Sequence, residues 1–100
     1  MERFKSEAVK VRHVDDLTIV FWNGESIYIH DKLQGWVVFH RWFAPRGSYV
    51  KSWRNFRRLL LREKHLTLSH CYRIAFAYDI PVQRAKAPDL SKVKIEERFN

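Results

Sequence analysis

The chain has 100 residues and a formal net charge of +8, with 46% apolar and 15% aromatic residues. This length corresponds to one domain, and the apolar fraction is sufficient for a packed core, so disorder over most of the chain is disfavoured. Residues 1–50 carry 7 basic and 6 acidic side chains, whereas residues 51–100 carry 12 and 5. A charge so unevenly distributed favours a negatively charged partner, and a merely solubilising surface is the alternative.

The cysteine content and the N-terminal sequence indicate a compartment. Cys71 is the only cysteine, so an intrachain disulfide cannot form and a reducing environment is indicated. The first five residues have no apolar segment, and no apolar run approaches the roughly 20 residues of a membrane helix. We therefore expect a cytoplasmic protein, or a nuclear one if the source is eukaryotic, without a signal peptide or a membrane partner.

The first half of the chain predicts an antiparallel meander of four strands. Val14 and Leu17 flank a two-residue turn, Asp15-Asp16. Asn23-Gly24 is the strongest hairpin signal in the chain, because both residue types tolerate a positive φ. Alternation and β-branched or aromatic residues predict the strands. They cover residues 8–14, 17–22, 25–30 and 36–43.

The second half predicts two helices and a tail. Proline and glycine in residues 44–48 end the sheet, and Ser52 can cap a helix that reaches Lys64. A second helix begins near Thr67 or Ser69 and ends before Pro81. We thus expect an α+β domain over residues 1–80, with the sheet at about 8–43 and the helices at about 52–65 and 68–79. Residues 81–100 form a partly ordered charged C-terminal tail, either a disordered arm or an extra strand through Val93 to Ile95.

Two-residue turns would fix the strand register and therefore the two faces of the sheet. We expect Val14 to pair with Leu17 and Trp22 to pair with Glu25. The helices should then cover a nearly all-apolar face, composed of Val9, Val11, Val20, Trp22, Ile27, Ile29, Val37, Phe39 and Phe43. The opposite face is aromatic and basic, with Lys10, Arg12, Ile19, Phe21, Tyr28, His30, Trp36, Val38, His40 and Trp42.

An aromatic and basic sheet face is typical of proteins that bind single-stranded nucleic acid. Bases stack on the rings while cations contact the backbone. We expect Tyr28, Trp36 and Trp42 to stack bases, with Arg12 beside them. The alternative is that the second helix, the tail or a second subunit buries this face, because apolar patches of this size are uncommon on monomers.

The first helix carries a line of arginines. Arg54, Arg58 and Arg62 stand at i, i+4 and i+8, Lys51 and Arg57 flank them, and Glu63 is the only acid from Lys51 to Lys64. Like charges at this spacing repel one another and destabilise the helix slightly. A sequence that nevertheless has them is expected to use the positive electrostatic field that they create. Arginine also makes bidentate contacts with phosphate or carboxylate. We expect these five cations to hold phosphates, and a solvated helix face is the alternative.

Catalytic and metal sites are not indicated. The sequence lacks a glycine-rich phosphate loop, and Cys71 next to His70 has no paired Cys-x-x-Cys to support a zinc site. His30 and His40 lie on one predicted face, but His40 should face Ser26 across the sheet. The rhythm of residues 74–81 also permits a helix-turn-helix with a recognition segment at residues 82–87, which Pro88 would cut short.

These features predict a non-enzymatic protein that binds nucleic acid, DNA or RNA, without a cofactor. The main rival is a protein-interaction module, an inhibitor or adaptor whose basic helix docks on an acidic protein. A homodimer that hides the aromatic face is a third interpretation, and it is compatible with the other two.

Overall fold

The computed structural model describes residues 8–22, 24–41, 48–91 and 93–99. These residues form six strands and two helices, and the predicted α+β class is confirmed. The strands are β1 (Ala8–Val14), β2 (Leu17–Trp22), β3 (Ser26–Asp31), β4 (Gly35–His40), β5 (Val82–Arg84) and β6 (Lys94–Phe99). The helices are α1 (Ser48–Arg62) and α2 (Leu68–Ala77).

The strands form one sheet in the order β5-β4-β3-β2-β1-β6. The four central strands are the predicted antiparallel meander, and β5 adds to it in antiparallel orientation. β6 pairs with β1 in parallel. Of the two predictions for the tail, a disordered arm or an extra strand, this region forms the strand. The tail therefore supplies both edge strands of the sheet.

The first turn has the predicted register and the second does not. Val14 pairs with Leu17, and Asp15 takes a left-handed φ of 53°, which an aspartate tolerates. In the second turn Trp22 pairs with Ser26 rather than Glu25, although Gly24 has the expected positive φ of 79°. The connection therefore contains three residues instead of two. An Asn-Gly pair is compatible with hairpin loops of more than one length, so the dipeptide alone did not determine the register.

This one-residue slip exchanges the faces of β1 and β2 relative to β3 and β4, because successive side chains point to opposite sides of a strand. The face under the helices, here called the inner face, is entirely apolar at its centre. It contains Leu17, Ile19, Phe21, Ile27, Ile29, Val37 and Phe39. The predicted division, which grouped Val20 and Trp22 with Ile27 and Ile29, was therefore wrong. Phe43, which had been assigned to the same face, lies outside the described residues.

The helices cover the inner face with one side each. Trp53, Phe56 and Leu60 of α1 are buried there. Leu68, Cys71 and Ala75 of α2 complete this core. Burial of apolar surface on both sides of this interface is the main stabilising contribution of the fold.

The helix boundaries agree with the sequence at three of four ends. Thr67 caps α2, since its hydroxyl accepts a hydrogen bond from the His70 N–H at 3.1 Å. α1 ends at Arg62, close to the predicted end, but it begins at Ser48 rather than near Ser52. The predicted cap, Ser52, therefore lies inside the first half of α1.

The residues between β5 and β6 cross the sheet. β5 and β6 lie at opposite edges, which are five strand spacings or about 24 Å apart. The chain has ten residue steps from Arg84 to Lys94, at most about 36 Å, which is enough to span this distance even with the turn that the Val93 N–H closes on the Leu90 carbonyl oxygen. Leu90 and Val93 pack against Val9, Val11 and Val20, which places this segment across the face opposite the helices. We call residues 85–91 together with Val93 the strap and the face beneath it the strap face.

Candidate nucleic-acid interface

An exposed row of cations runs along α1. Lys51, Arg54, Arg58 and Arg62 are all exposed, and they follow one another at intervals of three or four residues. Such residues are neighbours on a helix surface, and the row spans about 16 Å at 1.5 Å per residue. The predicted line is therefore present on the surface. We call these four side chains the cationic stripe.

The opposite side of α1 holds the stripe in a fixed orientation. Trp53 and Phe56 are buried under the helix, and the indole N–H of Trp53 donates to the Gly24 carbonyl oxygen at 2.8 Å. Leu60 is fully buried one turn beyond Phe56. Because these residues lie about half a helical turn from the stripe, the helix cannot rotate its cations away from solvent without exposing core.

Arg57 lies beside the stripe rather than on it. Its guanidinium carbon is 5.6 Å from the centroid of the Phe21 ring, a cation–π distance, and the side chain is half-buried. Arg57 therefore contributes positive charge to this side of the molecule while part of its side chain serves packing.

Arg12 lies on the opposite side of the sheet from the predicted aromatic platform. It is on the inner face, 8% exposed, and pairs with Ile19 rather than standing among Tyr28 and Trp36. Its guanidinium donates to the Leu60 carbonyl oxygen at 2.7 Å and also to the Glu63 carbonyl oxygen. Both carbonyls belong to the C-terminal end of α1, where backbone acceptors lack helical partners and a cation is favoured. Arg12 thus caps a helix, and its buried position does not suit a phosphate contact.

Tyr28 and Trp36 do share the strap face, as predicted, and both are half-buried. Trp22 joins them because of the register, with its ring centroid 6.0 Å from that of Tyr28. The ring of His30 lies 5.1 Å from the ring of Trp36. Trp42 lies outside the described residues. The strap covers part of this face, in line with the alternative that the tail buries it.

The histidines and the cysteine do not converge on one point. His40 faces Ser26 across the sheet, as predicted, with its Nδ1 3.3 Å from the serine hydroxyl. Cys71 lies in the core, and burial raises the pKa of its thiol to about 12. Among the described residues, no group of three or more His, Cys, Asp or Glu side chains is arranged to hold a metal ion.

The helix-turn-helix interpretation is wrong. α2 ends at Ala77, Asp79 takes a left-handed φ of 58°, and the chain then enters β5 at Val82. The segment that would have been the recognition helix is therefore an edge strand and the start of the strap.

A groove between α1 and α2 was not predicted. Its apolar part has a volume of about 340 Å³ and is lined by Leu59, His70, Arg73, Ile74, Ala77 and Tyr78. An adjoining cavity of about 360 Å³ shares His70 and Arg73 with it and is also lined by Asp15, His65, Leu66 and Thr67. The periodicity of each helix predicted which residues are apolar, but the groove depends on how the two helices pack together.

The carboxylate of Asp15, in the lining of the adjoining cavity, is already hydrogen-bonded. The Leu66 N–H donates to Asp15 Oδ2 at 2.7 Å, and His65 Nδ1 lies 3.4 Å from Oδ1. The Leu66 hydrogen bond, with help from His65, lowers the pKa of Asp15 below its usual value. Asp15 thus joins the β1–β2 turn to the connection between the helices.

Two ion pairs among the described residues involve the acids of the β1–β2 turn. They join Lys32 to Asp16 at 3.4 Å and His65 to Asp15 at 3.4 Å.

Within the described ranges, no helix has the length and apolar character to cross a membrane. No protein-family model, curated protein or solved structure matches the chain. Function is therefore inferred from the residues of the chain itself.

Proposed function

We propose that this protein binds nucleic acid and holds its phosphates on the cationic stripe. The observation that carries this proposal is the exposure of Lys51, Arg54, Arg58 and Arg62 in one row. Arginine donates in a planar fork that matches a phosphate, and four aligned cations match a chain of regularly spaced phosphates better than a single anion. Release of counterions from the phosphates supplies the driving force.

The electrostatic environment of the stripe supports the same function. α1 itself contains no acidic residue, and the carboxylates of Asp15 and Asp16 pair with His65 and Lys32. Repulsion among the stripe cations costs a few tenths of a kcal/mol per neighbouring pair in the free protein, and bound phosphates would remove this repulsion. Arg57 adds to the positive field from the side of the helix.

The strap face makes a smaller contribution to the proposal. Tyr28 and Trp36 have only part of their rings available, because the strap packs across the same face. They remain candidates for stacking at the uncovered part of the face. The nucleic-acid interface is therefore centred on α1.

The test is a titration with labelled single-stranded and duplex oligonucleotides over a range of salt concentrations. We expect binding to weaken as salt rises. A variant with Arg54→Gln, Arg58→Gln and Arg62→Gln should lower the slope of log affinity against log salt by about 2 to 3, roughly one for each arginine that no longer binds a phosphate. Glutamine is a good helix former, so α1 should remain intact, which circular dichroism would check.

A matched control separates the stripe from net charge. Lys32→Gln, Arg84→Gln and Lys86→Gln remove the same number of charges from exposed residues outside α1. This control should retain most of the parent slope. If the slope of log affinity against log salt fell equally in the two variants, the protein would bind through its overall charge. An absence of binding at low salt would contradict the proposal.

An acidic protein is the second candidate partner, and Phe76 is the observation that favours it. This ring is 85% exposed on α2, and an exposed aromatic side chain near arginines is typical of protein interfaces. A complex captured from cells that survives nuclease treatment and is abolished by Phe76→Ala would support this function instead.

A further inference from the structure

We propose that the groove between α1 and α2 holds an unpaired nucleobase whose neighbouring phosphates bind the arginines on its two sides. The inference rests on the proposed function and assigns to it a single-stranded or locally unpaired substrate. The observations that carry it are the apolar floor of the groove, its size and the positions of the cations around it.

The apolar part of the groove suits a flat aromatic ligand. Leu59 lines it from α1 and Ile74 and Ala77 line it from α2, and Tyr78 is the aromatic side chain among them. Its volume of about 340 Å³ is at the lower end of the range for small-ligand sites. Bases stack on aromatic and apolar side chains independently of sequence, since every base has a π-face.

One arginine lines this floor from α2, and another follows a lining residue of α1 by one helical turn. Arg73 and His70 line the groove from α2. On α1, Arg62 follows Leu59 by three residues, and residues three apart are neighbours on a helix surface. Leu59, in the groove lining, thus lies next to the cationic stripe. An apolar surface with an arginine near it on each helix is complementary to a base with a phosphate on each side.

The position of the groove also distinguishes it from the strap face. The strap already packs on the aromatic sheet face, whereas the groove opens beside the exposed stripe on the helical side of the sheet. A nucleic-acid strand that follows the stripe can place a base in the groove without displacing any part of the described chain. A duplex keeps its bases paired and stacked, so it can use the stripe but not the groove.

The test compares three labelled probes of equal length: a single strand, a duplex and a single strand that contains abasic sites. We expect the single strand to bind about 5- to 150-fold more tightly than the abasic strand, the range that one stacked base provides. Ala77→Trp, which fills the groove from an exposed position, should remove this difference and leave duplex affinity unchanged. Tyr78→Leu, which keeps the apolar volume but removes the ring, should reduce the difference.

Phe76→Trp is the matched control, because it adds a similar side chain to the adjacent exposed residue outside the groove lining. It should retain the preference for the intact single strand. The inference would be overturned if the abasic and intact strands bound equally, or if Ala77→Trp left their difference unchanged. In either case a loss of salt dependence in the arginine variant would still support the phosphate-binding function.

The rival occupant is an acidic amphipathic helix from a protein partner. If the parent bound a glutamate-rich helical peptide, Ala77→Trp abolished that binding and the parent bound none of the oligonucleotides, the groove would be a protein-docking site. That result would overturn both the inference and the proposed function. Failure of the inference alone leaves salt-dependent oligonucleotide binding in place, so the two failures are distinguishable.

Discussion

The two faces of the sheet are covered in different ways. Two helices bury the inner face, where Ile19, Ile29 and Phe39 are fully inaccessible. The strap crosses the other face and leaves Tyr28 and Trp36 half-exposed. One face therefore provides most of the packing free energy, while the thinner cover leaves aromatic rings in partial contact with solvent. The difference shows that aromatic content alone does not identify the core of this protein.

The largest effect should follow a truncation on the inner face. Phe39 is fully buried, with its ring centroid 5.2 Å from that of Phe56 and 6.2 Å from that of Tyr72. We expect Phe39→Ala to lower the free energy of unfolding by about 3–5 kcal/mol, because it removes buried apolar surface and leaves a cavity behind. Urea denaturation followed by tryptophan fluorescence measures this change. Phe76→Ala, at a phenylalanine that is 85% exposed, should change stability by less than about 0.5 kcal/mol.

A smaller effect is expected from Arg12, a charged side chain buried on the inner face. Arg12→Met keeps much of the apolar volume but removes the hydrogen bonds to the Leu60 and Glu63 carbonyl oxygens. We expect stability to fall by about 1.5–3 kcal/mol, the range for hydrogen bonds that involve a charged group. Thermal unfolding measures it, with Arg54→Met at an exposed site as the control. Equal stability of the two variants would mean that Arg12 does not stabilise the end of α1.

The strap should contribute less again. Leu90 is half-buried against the strap face, so Leu90→Ala should cost about 1–2 kcal/mol, below the usual range for a fully buried leucine. It should also increase quenching of tryptophan fluorescence by iodide, because Trp22 and Trp36 lie on the strap face. Leu33→Ala, at a leucine that is 94% exposed, is the matched control. If Leu90→Ala lowered the free energy of unfolding as much as Phe39→Ala does, the strap would stabilise the sheet as strongly as the helices do.

The smallest effect concerns pH at the β1–β2 turn. Because the pKa of Asp15 is lowered in the folded protein, its carboxylate stabilises the fold above the ordinary value of 3.8. This contribution is lost as the pH falls through the lower folded pKa. Asp15→Asn should therefore be less stable than the parent at neutral pH, and the difference should shrink in acid.

Denaturation at a series of pH values measures this difference. Asparagine tolerates the left-handed φ of 53°, so backbone strain should not obscure the result. Asp16→Asn in the same turn is the control. A stability difference for Asp15→Asn that stayed constant down to low pH would contradict the role of the Leu66 hydrogen bond.

Local patterns predicted the elements and the stripe. Alternation predicted the four strands of the meander, and of the two starts predicted for α2, Thr67 or Ser69, the structure has Thr67 as the cap. The spacing of Arg54, Arg58 and Arg62 was sufficient to place them on one side of a helix, because that periodicity is set by helix geometry. The two sheet faces could not be assigned equally well, since a single extra residue after Trp22 reverses the side of a whole strand.

What the sequence determined by itself was the α+β class, the order of the central strands and the amphipathic character of α1, because these depend on neighbours along the chain. Only the tertiary structure decided the position of Arg12, the groove between the helices and the strap. Arg12 meets α1 across 48 residues, and β6 pairs with β1 across a still longer separation. Contacts of this kind depend on register and packing between distant segments, which no local pattern of residues encodes.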